Sequence, residues 1–438
     1  MKKNKKLILG IVAAFAFLIA VYLWITMYNP TVDNNTLPEI TNDQVIYSTK
    51  DVIESVQIKN NHGTFTVISG DAGYFLDENN QIILDQTTTS NIFAYCRNIT
   101  SIVPALENPQ ELSVYGLASP ASVITVKTEK DSMVFYVGDK LSGNNGYFFK
   151  LADTDEIYVL PSSMGNLFVS GIDALRNMSI ISTPTDSITK LEIINGSNKL
   201  TVEKIVDEEN DAYTWVIPSY MNKTADAESV TNKLLIPAAN IVASGIAEDN
   251  PSDYSKYNLD ISVTVWTGDS SYTYIGGVGE SNTYARISGL PTVYTVSTGV
   301  FAFADTTAFD ILERYAYLVY LDDIDSADVT LPSGKYSMKV HRQGDDESYT
   351  VNGKSVEKQK FRETYQTLVA MYVDGITSDA DTSKSVATIT FNYSDGRNLT
   401  VGIHEYDSLN YAVSENGKCL FYMKKQNLED IEKAFAKL

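Results

Sequence analysis

Few side chains in this sequence stand at spacings that chemistry requires. Of the three histidines, His62 falls in a hairpin turn, and His341 and His404 fall just after strands. No two fit a metal-ligand pair such as His-Glu-x-x-His, so all three read as exposed loop residues. Cys96 lies on the apolar face of a helix, and Cys419 adjoins Leu420 and Phe421. Both read as buried, inert thiols, because a free cysteine on an apolar face packs as a small hydrophobe. Gly276-Gly277-Val278-Gly279 resembles a phosphate loop, but such a loop runs from a strand into a helix. Strands flank this one on both sides, and a tight hairpin turn is expected. Ser187-Ile188-Thr189-Lys190 has the Ser-x-x-Lys spacing of penicillin-binding enzymes. Its lysine enters a strand, and Lys127-Thr128-Glu129 is not the Lys-Thr-Gly that should accompany it.

Acids gather at Asp153-Thr154-Asp155-Glu156, at Asp322, Asp323, Asp325 and Asp328, at Asp345-Asp346-Glu347, and at Asp379 with Asp381. None follows the calcium-loop pattern, and all read as solvated loops. Paired carboxylates for glycoside cleavage depend on a separation of about 5 to 9.5 Å that only the fold sets. Tyr147, Tyr284 and Tyr411 recur at corresponding strand positions, which suits cross-strand packing better than a sugar platform. The residues therefore assign no catalytic, cofactor-binding or metal site.

The elements carrying these residues begin with an anchor. Lys2, Lys3, Lys5 and Lys6 form a basic tail over residues 1–6, and 21 uncharged residues follow from Leu7 to Met27. As a helix that run is about 31 Å long, enough to cross a bilayer. Residues 7–28 are predicted to be a transmembrane helix with lipid as its partner. The lysines should stay in the cytoplasm and the C-terminal body outside. A cleaved signal peptide would have a shorter apolar core, so an uncleaved anchor is favoured. Residues 29–50, with Pro30 and Pro38, read as a solvated tether.

The whole chain has 438 residues, 34 basic and 55 acidic, for a net charge of −21. That charge disfavours a nucleic-acid partner. With 28 tyrosines and 20% charged residues the chain should fold, and two cysteines are too few to staple it.

Behind the tether one pattern recurs about every 130 residues, predicting α+β units at 51–183, 184–317 and 318–438. Each opens with a hairpin: Val56 and Ile58 before Gly63, then Phe65 and Val67; Leu191 and Ile193 before Gly196, then Leu200 and Val202; Val329 and Leu331 before Gly334, then Tyr336, Met338 and Val340. A third strand and a helix follow. The helix faces are expected to be Ile92, Cys96, Ile99 and Val103; Val230, Leu234, Ala238 and Ile241; and Phe361, Tyr365, Leu368 and Tyr372. Pro237 should kink the middle helix. Four more strands and a closing helix complete each unit, the last helix running behind an Asn427 cap. Runs of adjacent strands predict antiparallel sheets covered by helices, in three tandem repeats, each with its own core, like beads on a string.

Tyr115-Gly116-Leu117 with Pro120, Tyr136-Val137-Gly138-Asp139, Gly146-Tyr147, Ile157-Tyr158-Val159 and Asp173, Leu175 and Arg176 resemble the bacterial family called domain of unknown function 4340. The resemblance is clearest over Asp51 to Ser182. It implies a membrane-tethered extracytoplasmic protein whose genes often accompany ABC transporters, with no catalytic residues to carry over. The expected function is a non-catalytic binding or scaffolding component of an envelope or ABC-transporter-associated assembly. The alternatives are an envelope glycan or peptide hydrolase using loop carboxylates, which requires an acidic pocket, and a carbohydrate-binding adhesin, which requires an exposed aromatic strip.

Overall fold

A computed structural model describes residues 44–438 except 80, 107, 108, 144, 208–211, 345, 378 and 379. The tail at 1–6, the predicted anchor at 7–28 and most of the tether lie outside the described residues, as do Asp345 and Asp379. Among the described residues no helix is long and apolar enough to cross a membrane. The fold is mostly antiparallel β-sheet, in two compact units that divide between Asn177 and Met178.

The first unit contains β1 (Gln44–Ser48), β2 (Ile53–Asn60), β3 (Gly63–Gly70), β4 (Gly73–Leu76), β5 (Asn98–Ser101), β6 (Ser122–Thr128), β7 (Ser132–Lys140), β8 (Gly146–Leu151) and β9 (Tyr158–Pro161). Helices α1 (Gln86–Arg97) and α2 (Ser162–Val169) supply apolar faces to its core. The end of the expected tether is a strand: β1 pairs with β5, and Ile46 and Tyr47 pack on the core.

The second unit begins with β10 (Ser179–Ser182), β11 (Lys190–Asn195), β12 (Asn198–Asp207), β13 (Ala212–Ile217), β14 (Lys223–Ala225), β15 (Asn240–Glu248), β16 (Ile261–Thr267), β17 (Ser270–Val278), β18 (Thr283–Ile287) and β19 (Val293–Val296). It continues with β20 (Ile324–Leu331), β21 (Gly334–Gln343), β22 (Asp346–Val351), β23 (Lys354–Val356), β24 (Gly375–Ile376), β25 (Ser385–Tyr393), β26 (Asn398–Glu405), β27 (Asn410–Glu415) and β28 (Lys418–Lys424). Its helices are α3 (Ala227–Val230), α4 (Ile236–Ala239), α5 (Ala308–Ile311), α6 (Lys358–Val369) and α7 (Lys425–Phe435).

One strand order runs through the three large sheets: β4-β3-β2-β6-β7-β8-β9, β13-β12-β11-β16-β17-β18-β19, and β22-β21-β20-β25-β26-β27-β28. The register matches as well. Val56 faces Val67 and Val126, Leu191 faces Val202 and Val265, and Ala327 faces Met338 and Phe391. The third hairpin thus aligns on Ala327 and Val329, two residues before the pair Val329 and Leu331. Residues 178–183 belong to the second unit, because β10 pairs with β15.

The bead picture fails for the last two stretches. One continuous core runs from Ile180 to Phe435, and Tyr220 stacks on Phe421 with ring centroids 6.4 Å apart. The helix faces also end sooner than the spacing suggested. Ile99 is in β5 and Ile241 in β15, whereas Tyr372 follows α6 and is 51% exposed. Before Pro237 the helix widens into a π-turn at Thr231–Leu235, where the Ile236 N–H reaches back five residues to Thr231 O. This is the expected disturbance at a residue with no N–H to donate. Asn427 lies inside the first turn of α7, not at its cap, and donates to Tyr372 O at 3.0 Å.

Candidate functional site

Matching the sheets residue by residue brings out one place where they differ chemically. Ile124 faces Phe135, Val263 faces Tyr274 and Ile389 faces Val401; three residues further along come Gly138, Gly277 and His404. A Cβ on Gly138 would sit 2.2 Å from Tyr115 O, and one on Gly277 would sit 2.2 Å from Tyr257 O. Both carbonyls belong to 3₁₀ turns, Leu112–Tyr115 and Ser255–Tyr257, followed by left-handed Gly116 and Asn258. Tyr115 packs edge-on to Phe148 at 5.0 Å, and Tyr257 to Tyr284 at 4.9 Å. Only glycine lets the turn lie this close to the strand. Gly276 and Gly277 are therefore strand residues of β17, and the expected tight turn starts only at Gly279, whose N–H bonds Asn282 O at 2.9 Å.

Among the described residues ahead of β25 no such turn occurs, and the position of the glycine holds His404. It is 2% exposed, correcting the expectation of an exposed loop histidine. Its Nδ1 lies 3.1 Å from Lys384 O and its Nε2 2.7 Å from Ser414 Oγ. With Nδ1 donating to the carbonyl, Nε2 accepts from the hydroxyl, a serine–histidine geometry. Ser414 is 3% exposed, so this pair holds β26 to β27 and does not face a substrate.

The cleft with the most varied chemistry lies inside the second unit, where β14 and the segment after α5 meet β25, β26 and β27. It has a volume of about 210 Å³ and is lined in part by Lys223, Glu313, Tyr315, Leu318, Tyr393 and Glu415. The chain enters it through Met221 and Asn222, both at positive φ, 55° and 56°. Asn222 tolerates that region, whereas Met221 is a strained position in it. Lys223 pairs with Glu415 and donates to Ala316 O at 3.0 Å. Glu313 has no ion-pair or side-chain hydrogen-bond partner among the described residues, and burial, then the nearby Asp226 carboxylate, push its pKa up. Beside the cleft, residues 314–316 run antiparallel to 371–373; Ala316 N bonds Met371 O at 2.8 Å and Val373 N bonds Arg314 O at 2.9 Å. That pairing sets the Tyr315 and Tyr372 rings 4.7 Å apart with their hydroxyls 2.8 Å from each other. Leu318 and Tyr320 continue this edge, 49% and 62% exposed.

The other residues singled out by the sequence fall elsewhere. His62 is an exposed turn residue, and His341 sits on β21 with Nε2 3.1 Å from Thr350 Oγ1. Cys96 and Cys419 are free thiols, Cys96 buried as expected and Cys419 only half-buried, and desolvation raises the pKa of both. Ser187 Oγ bonds Pro184 O at 2.7 Å, while Lys190 lies 5.2 Å over the Trp266 ring. Tyr147 and Tyr411 do correspond, facing Leu160 and Met423, but Tyr284 is offset by one residue and so turns to the opposite face. Among the acidic clusters, Asp155 lies 3.9 Å from Lys150, Asp325 accepts from Ser394 and Asp328 from Ser337. Glu347 is a hub for the Tyr349 hydroxyl, Arg362 at 3.1 Å and Lys358 at 3.4 Å. Among the described residues, no group of three histidine, cysteine or acidic side chains is placed to hold a metal ion. Sequence reasoning missed Glu313, Lys223 and the Tyr315–Tyr372 pair, whose partners lie far apart in the chain.

A family profile described as domain of unknown function (DUF4340) matches residues 76–213 and 215–388. No curated protein matches. Among solved structures, the family 43 glycoside hydrolase YxiA from Bacillus licheniformis aligns over 87% of this chain and 100% of its own, at 10% identity and a TM-score of 0.08, too low to bear on fold or activity.

Proposed function

We propose a role that proceeds from one premise: this chain belongs to the family described as domain of unknown function (DUF4340). The protein is a single-pass, membrane-anchored component of the cell envelope, held by residues 7–28, with its body outside the membrane. The body is three tandem α+β repeats, and its role is non-catalytic: it binds or scaffolds another envelope component, with an ABC-transporter subunit as the partner. The observation that carries this reading is the cleft between β14, β25 and β27 with its exposed edge of Leu318, Tyr320 and Tyr372. Large amphipathic side chains on a rigid, concave support are the composition of interaction surfaces. Carboxylate-based cleavage fits the same cleft less well. Of its two glutamates, Glu415 is engaged by Lys223, which leaves Glu313 without a free carboxylate partner for acid–base work.

The test is recovery of the tagged, full-length protein from crosslinked membranes. A reproducible membrane-protein partner is expected, with yield falling several-fold when Leu318, Tyr320 and Tyr372 are changed together to alanine. Absence of any reproducible envelope partner overturns the reading. Protease added to intact cells stripped of wall should digest the body; its survival overturns the orientation.

A further inference from the structure

Charge in the cleft of the second unit does not balance. Among the residues lining it, Lys223 is the cation, and both Glu415 and the Ala316 carbonyl already hold it. Glu313 keeps an uncompensated carboxylate there, and the charge that acts on it is the like charge of Asp226. Asp226 cannot turn away, because it caps α3 by accepting from Ser229 N at 2.8 Å. The Tyr393 hydroxyl, on the same wall system, makes no hydrogen bond among the described residues. Leu318 and buried Leu399 add apolar surface. The space of about 210 Å³ is below the roughly 300 to 1,000 Å³ of pockets for drug-sized ligands. A space of that size suits one linear side chain better than a glycan.

We propose that this cleft is a binding site for an alkylammonium group, with Glu313 as its counter-ion, Tyr393 as a hydroxyl acceptor and the leucines flanking the methylenes. A compact ammonium suits one carboxylate and one hydroxyl, whereas a guanidinium wants a planar, two-pronged acceptor. The inference deepens the binding reading above and rests on it. The amine has two sources, a lysine side chain of a partner or a free diamine.

The experiment is calorimetric titration of the full-length protein in detergent with 1,5-diaminopentane, Nα-acetyl-lysine methylamide and, as the uncharged control, 1-pentanol. Saturable binding of an amine and none of pentanol is expected. Glu313→Gln should weaken it about tenfold and Tyr393→Phe a few-fold, because the ammonium is ion-paired to the carboxylate and meets only an uncharged acceptor in the hydroxyl. Glu363→Gln, outside the cleft, should leave it unchanged. Preference for the diamine supports a free ligand, and preference for the lysine derivative supports a partner's side chain. Absence of saturation with either amine, or equal binding by Glu313→Gln that still unfolds cooperatively, overturns the proposal. If Glu313→Gln fails to fold, Tyr393→Phe and the pentanol control decide it. A membrane partner recovered by crosslinking without amine binding removes this inference and leaves the wider reading standing.

Discussion

Two of the three sheets put a glycine where the third puts a histidine, and the reason lies on the layer above. Over Gly138 and Gly277 a 3₁₀ turn presses its tyrosine carbonyl onto the strand and lays the tyrosine ring against Phe148 or Tyr284. Where the described residues form no such turn, His404 takes the room, and its two ring nitrogens meet Lys384 O and Ser414 Oγ. The corresponding neighbour is then Ala412, with no ring to offer. One backbone register supports either a clamp made by an added turn or a polar pin made by one side chain. What is preserved is the filling of the layer, by different chemistry.

The strongest way to break the comparison is Gly277→Val. Its side chain must displace the Tyr257 and Asn258 carbonyls, and a loss of about 3 kcal/mol in denaturant unfolding is expected. Gly138→Val should behave alike. The reverse exchange, His404→Gly, needs no displacement but leaves Lys384 O and the Ser414 hydroxyl unpaired, for a loss of about 2 kcal/mol. Equal losses from both exchanges would show that overpacking is not what fixes the glycine. Lys223→Met should cost a similar or smaller amount, about 1 to 2 kcal/mol, because the ion pair it breaks is 14% and 25% exposed and only partly shut off from water. Phe148→Leu and Tyr284→Leu sharpen the comparison most gently, removing an aromatic pair worth about 1 kcal/mol at each clamp, with no counterpart at Ala412.

Acid titration separates two glutamates of the second unit. The Tyr349 hydroxyl, then Lys358 and Arg362, hold Glu347 down to about 2 from an ordinary 4.5. Its stabilising share is complete above the ordinary value and is lost as pH falls toward 2. Glu313 has the opposite sign. Burial raises it, so the native chain holds its proton more firmly than the unfolded chain, and stability is lost as pH rises through the range above 4.5. Unfolding midpoints followed against pH should lose the lower limb in Glu347→Gln and the upper limb in Glu313→Gln.

Much of this architecture was legible where side chains alternate strictly. Leu191, Ile193, Leu200 and Val202 announce a two-faced hairpin, and each is buried as expected. The third hairpin was misaligned by two residues because Ala327, a central core residue, carries too weak an apolar signal beside Leu331. Helices were overextended at Ile99 and Ile241 because the strand entered next, β5 or β15, continues the apolar spacing of the helix that feeds it. His404 is harder. Its burial depends on a turn absent from one sheet and a serine ten residues away on the facing strand, and neither marks histidine as special. The cleft was least legible, since Lys223, Glu313 and Glu415 meet only when β14 and β27 are brought together.

The core shared from Ile180 to Phe435 bears on how this protein can be divided. A chain severed after residue 317 would expose to water the surface that Phe421, Met371 and Leu368 now cover, and its missing half would be equally bare. Each stretch needs the other to cover its apolar surface, so the two are expected to unfold as one block.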